Sequence, residues 1–451
     1  MGTTYLWIYT VLTCFVAVRT YVKKNNIIYR ALWTEYAVSA VFCLLCVYNR
    51  YIVGFSSWHN RWYDLSDTTL WGYALLFLCN LVAFQPFKLF DHKNQLEEYG
   101  KEDRTKRFFV VYSIIYIAVA LLFILPSIGF IRSTIGIGDF GLLRQSLYGN
   151  EENEAIGVAT TNFFSNICYK LCLEFKLASV FIAFGMIKEK VNNLLAALLF
   201  ILTFFIYFVS CSSMAARGGL LIFTFCTGAI GLVFYKYLSK SGKRKVFIAA
   251  IIVLIIVVSF FITVSMSRLA NAVSEVNPLL RNTFFYLGHG PIEFSKITGS
   301  LKDFAYGRTI IGRLISNYFG TSYSWDSIAS DIGFPNIGPV FVTYLGYIYT
   351  DFGAFGCLVF TSIWSYITYN MIRKRPTKIS TIYFFVYYLS FYVTGNFTVG
   401  RLEYAALVTT TFIYFIIRAF ERDPKLRSLF TMRIGFSRGR RKKYVRDINK
   451  Y

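Results

Sequence analysis

The strongest constraint on this chain is a series of apolar runs, each about 20 residues long, which recur along all 451 residues. A helix of that length crosses the roughly 30 Å hydrocarbon core of a bilayer. Because lipid cannot hydrogen-bond the backbone, each run is expected to be helical. The sequence therefore predicts an all-α polytopic membrane protein in which residues 1–451 form a single integral membrane domain. The predicted spans, about eleven, are 3–22, 31–49, 69–87, 108–131, 163–187, 192–211, 219–237, 246–266, 338–372, 379–396 and 403–420.

The basic residues are distributed unevenly between the predicted loops. Of the 47 Lys and Arg residues, 33 lie in alternate loops and the C-terminal tail, whereas twelve lie in the loops between them. By the positive-inside rule, the basic tail at 421–451 is expected in the cytoplasm and the N-terminus outside. The net charge of +23 is therefore mainly a topology signal and does not indicate nucleic-acid binding. The tail is expected to lie on anionic lipid headgroups.

Two sizeable loops are predicted on the external, periplasmic side. The loop 132–159 is small and acidic, whereas the loop 267–337 is long, aromatic and contains six of the twelve external basic residues. A loop of this length in a compact protein is usually functional or disordered, and the aromatic content argues against disorder. We expect it to form short helices that lie on the outer membrane surface.

The run at 338–372 is too long for one straight span and is rich in glycine. We expect a short, half-inserted helix, a break near Asp351 to Gly353, and then a full span. Non-helical backbone at that depth is tolerated only against protein or a water-filled cavity. The break therefore predicts a cavity that opens to the outside.

Side chains that often bind metals or form disulfides are scattered. The nine cysteines fall in or beside apolar runs, and they are expected to be small core residues. The three histidines are too dispersed to predict a zinc site. Lys170 and Glu174 stand four residues apart within one span, which predicts an ion pair that is either functional or packs helices.

The turn "SSMAARGGLL", residues 212–221, places one arginine and two glycines between two predicted spans. Helix N-termini expose unpaired N–H groups and the positive end of the helix dipole. Gly218 and Gly219 allow an anion to approach that backbone, and Arg217 beside them completes an anion site. The alternative is a tight helical hairpin whose arginine extends to the lipid headgroups.

Arginine dominates the predicted external face. Ten of the twelve basic residues there are Arg, whereas Lys outnumbers Arg 18 to 15 on the predicted cytoplasmic side. The planar guanidinium binds phosphate through two parallel hydrogen bonds. The bias indicates a phosphate-bearing ligand, and the alternative is that Arg extends to the interface more readily.

Four features in this order resemble the Wzy-type oligosaccharide repeat-unit polymerases, which make O-antigen, enterobacterial common antigen or capsule. They are the turn "SSMAARGGLL", the dominant external loop after the following span, the glycine-rich "IGPVFVTYLGYIYTDFGAFG" after that loop, and "GRLEY" in the last external turn. The resemblance covers nearly the whole chain. Each motif alone has low specificity, and their order is more specific.

The resemblance implies a glycosyltransferase with a GT-C-like fold in the bacterial cytoplasmic (inner) membrane. It would polymerise undecaprenyl-pyrophosphate-linked oligosaccharide repeat units into O-antigen or a related surface polysaccharide, as in lipopolysaccharide biosynthesis. The implied partners are that lipid-linked oligosaccharide, membrane lipids and a Wzz-type chain-length co-polymerase. No cofactor is expected. Because the donor carries its own leaving group and the sequence has no DxD motif, the reaction is expected to proceed without metal.

The candidate site residues follow from these roles. Arginines on the predicted external face are candidates for binding the pyrophosphate, together with the two glycines of the turn: Arg217, Arg268, Arg281, Arg313, Arg401, Gly218 and Gly219. The acceptor hydroxyl needs a base or an orienting group. The candidates are Glu293, Glu403 and His289, with Asp326 and Asp331 behind them. In "GHGP", His289 is alternatively a turn residue.

Two other functions stay open on the sequence alone. An O-antigen ligase-like glycan transferase shares the same plan and differs in its acceptor. A repeat-unit flippase or other transporter is the alternative outside enzymes, and we expect it to have more regular spans and no external loop of roughly 70 residues.

Overall fold

The computed structural model describes residues 1–53, 65–90, 103–135, 163–214, 217–235, 237–269, 287–312, 315, 325–333, 343–373, 378–396 and 401–422. All regular secondary structure in these ranges is helical. The helices are α1 (Gly2–Val22), α2 (Ile27–Val53), α3 (Leu70–Ala83), α4 (Gln85–Leu89), α5 (Asp103–Ile124), α6 (Ile128–Ile135), α7 (Phe163–Glu174), α8 (Lys176–Glu189), α9 (Asn193–Ser213), α10 (Arg217–Tyr235), α11 (Lys240–Leu269), α12 (Gly290–Ser300), α13 (Trp325–Asp331), α14 (Gly346–Arg373), α15 (Ile379–Gly395) and α16 (Arg401–Arg422).

The helix lengths and compositions are those of a multi-pass membrane protein. Eight helical stretches in the described ranges are long and apolar enough to cross a bilayer. They correspond to α1, α2, α3 with α4, α5, α9, α10, α11 and α14, and the apolar helix α15 is shorter. The predicted all-α, polytopic architecture is confirmed at this level.

The predicted span 163–187 is divided at Phe175 into α7 and α8. In this described stretch, no ion pair joins Lys170 to Glu174. Instead, the Thr409 hydroxyl donates to a Glu174 carboxylate oxygen at 3.3 Å. Both charged side chains are exposed on the bundle surface. The predicted pairing is therefore wrong, because Glu174 is bound by α16 rather than by its own helix.

A proline lies just past the end of α3. Pro86 has no N–H to donate to the Val82 carbonyl four residues earlier, and a backbone N–H at the end of α3 binds that carbonyl instead. Hydroxyl groups from other helices also bind the carbonyls at this end: Ser365 donates to the Val82 carbonyl at 2.8 Å, and Tyr388 donates to the Ala83 carbonyl at 2.9 Å. These two bonds connect α14 and α15 to the end of α3.

All nine cysteines lie in the described ranges, none of them forms a disulfide, and eight are buried. This agrees with their expected role as small core residues. Aromatic rings fill much of the same core, for example where Phe87 stacks on Tyr388 and Phe90 on Phe385, with ring centroids 5.2 and 4.1 Å apart.

Helix α12 differs from the sequence prediction because it does not lie on the membrane surface. Every residue from Gly290 to Ile297 is buried. Glycines make this possible. A side chain at Gly288 would collide with the backbone of Phe42 and Cys43 in α2, and one at Gly72 in α3 would collide with Ser295. The backbones therefore pack closer than any larger residue allows.

The break predicted near Asp351 to Gly353 is confirmed. Gly353 has φ 64° and ψ −161°, a conformation essentially restricted to glycine. The chain reverses there, because the Cys357 thiol reaches the Leu345 carbonyl at 3.8 Å. Twelve residues of straight helix would separate them by about 18 Å. Helix α14 is thus a short ascending segment followed by a long descending one.

Protein supplies the hydrogen bonds at the break, and the predicted cavity that opens to the outside stays a prediction. The N–H groups of Ala305 and Tyr306 donate to the carbonyls of Thr350 and Asp351 at 2.8 and 3.1 Å. The buried Asp351 carboxylate accepts from the N–H groups of Thr309 and Ile310, each at 3.0 Å. Residues 304–310 therefore supply the hydrogen bonds that the broken helix lacks.

Candidate functional site

Helix α12 is re-entrant: it begins deep in the bundle and ends at the level where α3 begins. At its outer end, the hydroxyl groups of Thr298 and Thr69 lie 2.7 Å apart. At its inner end, the Cys43 thiol donates to the Gly288 carbonyl at 2.6 Å. Cys43 precedes the end of α2 by ten residues, which corresponds to about 15 Å along that helix. That distance is about half of the hydrocarbon thickness, and we call this level half-depth.

The ascending segment of α14 begins at the same level. The Tyr344 hydroxyl donates to the Asn80 side-chain carbonyl at 2.8 Å. Asn80 is eleven residues beyond Thr69, the residue that caps α3, so it also lies about 15 Å below that end. The starts of the two segments meet, because Gly290 lies against Thr343 and the Asn396 carbonyl with no room for a side chain.

Three ionisable side chains are buried on α12, and we call them the buried triad: His289, Glu293 and Lys296. They are 0%, 3% and 3% exposed. One carboxylate oxygen of Glu293, Oε1, lies 3.3 Å from His289 Nε2 and 3.9 Å from Lys296 Nζ. Ionisable groups are rarely buried this fully unless they are paired, and in a membrane bundle they are functional candidates by default.

The environment favours a neutral imidazole at His289. A charged imidazole would lose its hydration at this fully buried position, and that loss is costly. A neutral imidazole has one N–H and one acceptor nitrogen. Nε2 is the ring nitrogen beside Glu293, at 3.3 Å; in the tautomer that carries its proton there, Nδ1 is the nitrogen that can accept a proton.

Asn396 is a site residue that the sequence analysis did not identify. It is 1% exposed, at the end of α15 and against Gly290. Neither atom of its side-chain amide has a hydrogen-bond partner in the described part of the chain. Buried polar atoms without a partner are rare in folded proteins. Its only sequence signal is an asparagine at the end of an apolar run, which is weak.

The structure brings two of the three predicted bases together and reveals nothing of the third. His289 and Glu293 are one helical turn apart in the buried triad. Glu403 lies in the first turn of α16, but its side chain lies outside the described residues, as does that of Asp326. Asp331 forms an ion pair with Arg308 at 2.8 Å on the exposed surface.

The predicted anion turn is described only in part. Gly218 and Gly219 lie in the first turn of α10. A side chain at Gly219 would lie 3.2 Å from both Tyr207 and Cys211, so this glycine allows α9 and α10 to pack closely. That contact fits the hairpin interpretation for Gly219.

The predicted arginine cluster stays a prediction. The side chains of Arg217, Arg268 and Arg401 lie outside the described residues, and Arg281 and Arg313 lie outside them entirely. Within the described ranges, no three His, Cys, Asp or Glu side chains lie close enough together to hold a metal ion. No known protein family, no curated protein and no solved structure matches the chain.

Proposed function

We propose that this protein is a membrane glycosyltransferase that joins undecaprenyl-pyrophosphate-linked repeat units into a surface polysaccharide. The observation that carries the proposal is the contact between His289 and Glu293 at the buried start of a re-entrant helix. A neutral histidine oriented by a carboxylate is a recurrent arrangement for removing a proton from a hydroxyl group. The order of sequence motifs described above supports the same class, with a GT-C-like fold.

In the proposed reaction, His289 Nδ1 accepts the proton of the acceptor sugar hydroxyl. The hydroxyl oxygen then forms the new bond to the anomeric carbon of the donor glycan. The bond from that carbon to the pyrophosphate oxygen breaks, and the pyrophosphate leaves with the bonding electrons on its lipid carrier. Glu293 stabilises the imidazolium that forms at His289. The external arginines, Arg217 and Arg401 first among them, neutralise the departing charge.

The two half-helices favour a transporter as the second candidate. Many transporters bind substrate near the middle of the membrane, where the N-termini of discontinuous helices meet. The inner ends of α12 and α14 meet at half-depth in a comparable way, at Gly290 and Thr343. A flippase for the same lipid-linked unit would use that point as a binding site. An O-antigen ligase differs from the polymerase in its acceptor alone.

Deletion of the gene, followed by gel analysis of surface polysaccharide, separates these functions. We expect surface lipid that carries a single repeat unit, because transport and ligation persist while polymerisation stops. Accumulation of free lipid-linked polymer would identify a ligase. Loss of all surface glycan would identify a flippase. Complementation with the intact gene should restore long chains.

A further inference from the structure

We propose that Lys296 is a positioning residue, which holds the Glu293 carboxylate against His289 and so determines which imidazole nitrogen accepts a proton. This inference deepens the proposed function, because it names what orients the proposed base. Residues 289, 293 and 296 have the spacing that places side chains on one stripe of a helix. The opposite side of α12 is bound to α3, where the Thr69 N–H donates to Ser295 at 3.0 Å.

The geometry gives the lysine a specific target. Its ammonium nitrogen lies 3.9 Å from Glu293 Oε1, the same oxygen that lies 3.3 Å from His289 Nε2. The lysine and glutamate side chains are each 4% exposed, so water does not replace either partner. An isolated buried carboxylate is costly and tends to take up a proton. The lysine charge offsets that cost and keeps Oε1 beside Nε2, in a contact of 3.3 Å.

A lysine that only balanced charge and a lysine that positions Glu293 against His289 predict different imidazole tautomers when Lys296 is replaced. Removing the ammonium allows the Glu293 carboxylate to turn away from the imidazole. Nε2–H then loses that neighbouring acceptor, and the two imidazole tautomers become comparable in free energy. Lys296→Arg keeps a charge at the same place, so the original tautomer should persist.

The test is solid-state NMR of the full chain in lipid vesicles, with ¹⁵N-labelled histidine. The chain has three histidines, and the signal that disappears in His289→Asn is that of His289. We expect the wild-type signal to show the proton on Nε2 alone. Lys296→Met should show both tautomers, and Lys296→Arg should resemble the wild type. Lys302→Met removes an exposed lysine six residues further along and is the matched control.

A wild-type tautomer in Lys296→Met would overturn the proposal. If Lys296→Met does not reach the membrane, Lys296→Gln is measured in its place. A changed tautomer in Lys296→Arg would also overturn the proposal. Polymerisation in Lys296→Met should fall at least about tenfold, and by no more than the roughly 10²–10⁴-fold that general base catalysis contributes. Mixed tautomers with undiminished polymerisation would reject this role. If the tautomers are as expected but the wild-type protein makes no polymer, the proposed function is rejected and the positioning role of Lys296 is not.

Discussion

Gly353→Ala should destabilise the protein strongly, because two independent costs fall on one residue. The backbone there has φ 64° and ψ −161°, which a non-glycine residue adopts at a cost of about 1–3 kcal/mol. The added methyl group would lie 2.8 Å from the Phe304 ring, and relieving that overlap typically costs about 1–3 kcal/mol. The free energy of unfolding should therefore fall by about 2–6 kcal/mol.

The assay is reversible unfolding of purified protein in mixed micelles by increasing SDS fraction, followed by tryptophan fluorescence. Gly228→Ala is the matched control, because Gly228 lies within α10 and a methyl group there meets nothing within 4 Å. Its stability should be unchanged or higher by about 0.5–1 kcal/mol, since alanine favours the helix. Equal stability of the two variants would refute the reversal of α14 at Gly353.

Three further predictions concern charge. Arg217→Lys should lose most polymerisation activity and Arg217→Ala nearly all of it. The rate should fall by roughly 10- to 150-fold if a phosphate contact of about 1.5–3 kcal/mol is made in the transition state. Normal chain lengths from both variants at equal membrane levels would instead support the hairpin interpretation. An impermeant maleimide applied to intact spheroplasts should label a cysteine engineered at Ser300 but not one at Ser437, and the reverse would contradict the topology. Because a charged imidazole is costly at the fully buried position of His289, base-limited activity should decline only below the ordinary histidine value of about 6.5; a decline that begins above that pH would contradict the assignment.

Most of the fold could be predicted from hydropathy, because membrane spans must be long and apolar. The break near Gly353 was also predictable, since glycine and a charged residue interrupt an otherwise apolar run. The burial of α12 was not predictable in this way. Its sequence, "GPIEFSKITGS", is polar enough for a surface helix. Glycines where α12 packs against α2 and α3, such as Gly72 and Gly288, make room for it. Which helices lie against each other is decided only by the tertiary structure.

The site was predictable in its parts but not in its assembly. His289 and Glu293 were candidates by residue type, and their spacing of four residues places them on one helical face. Lys296 counted only as one external cation among twelve, because nothing in the sequence indicates that it is buried. Asn396 lies more than 100 residues from His289 and meets its neighbour Gly290 only after the helices have packed.

Reconstituted polymerisation is the decisive measurement for His289 as the base of a polymerase. Purified protein in liposomes would receive lipid-linked repeat units, and the products would be resolved as a ladder on a gel. We expect a ladder from the wild type and a loss of roughly 10²–10⁴-fold in rate for His289→Gln, with unchanged thermal stability and elution volume. A ladder from His289→Gln equal to that of the wild type would contradict the assignment of the base. Movement of the unit across the bilayer without any polymer would contradict the proposed function and identify a transporter.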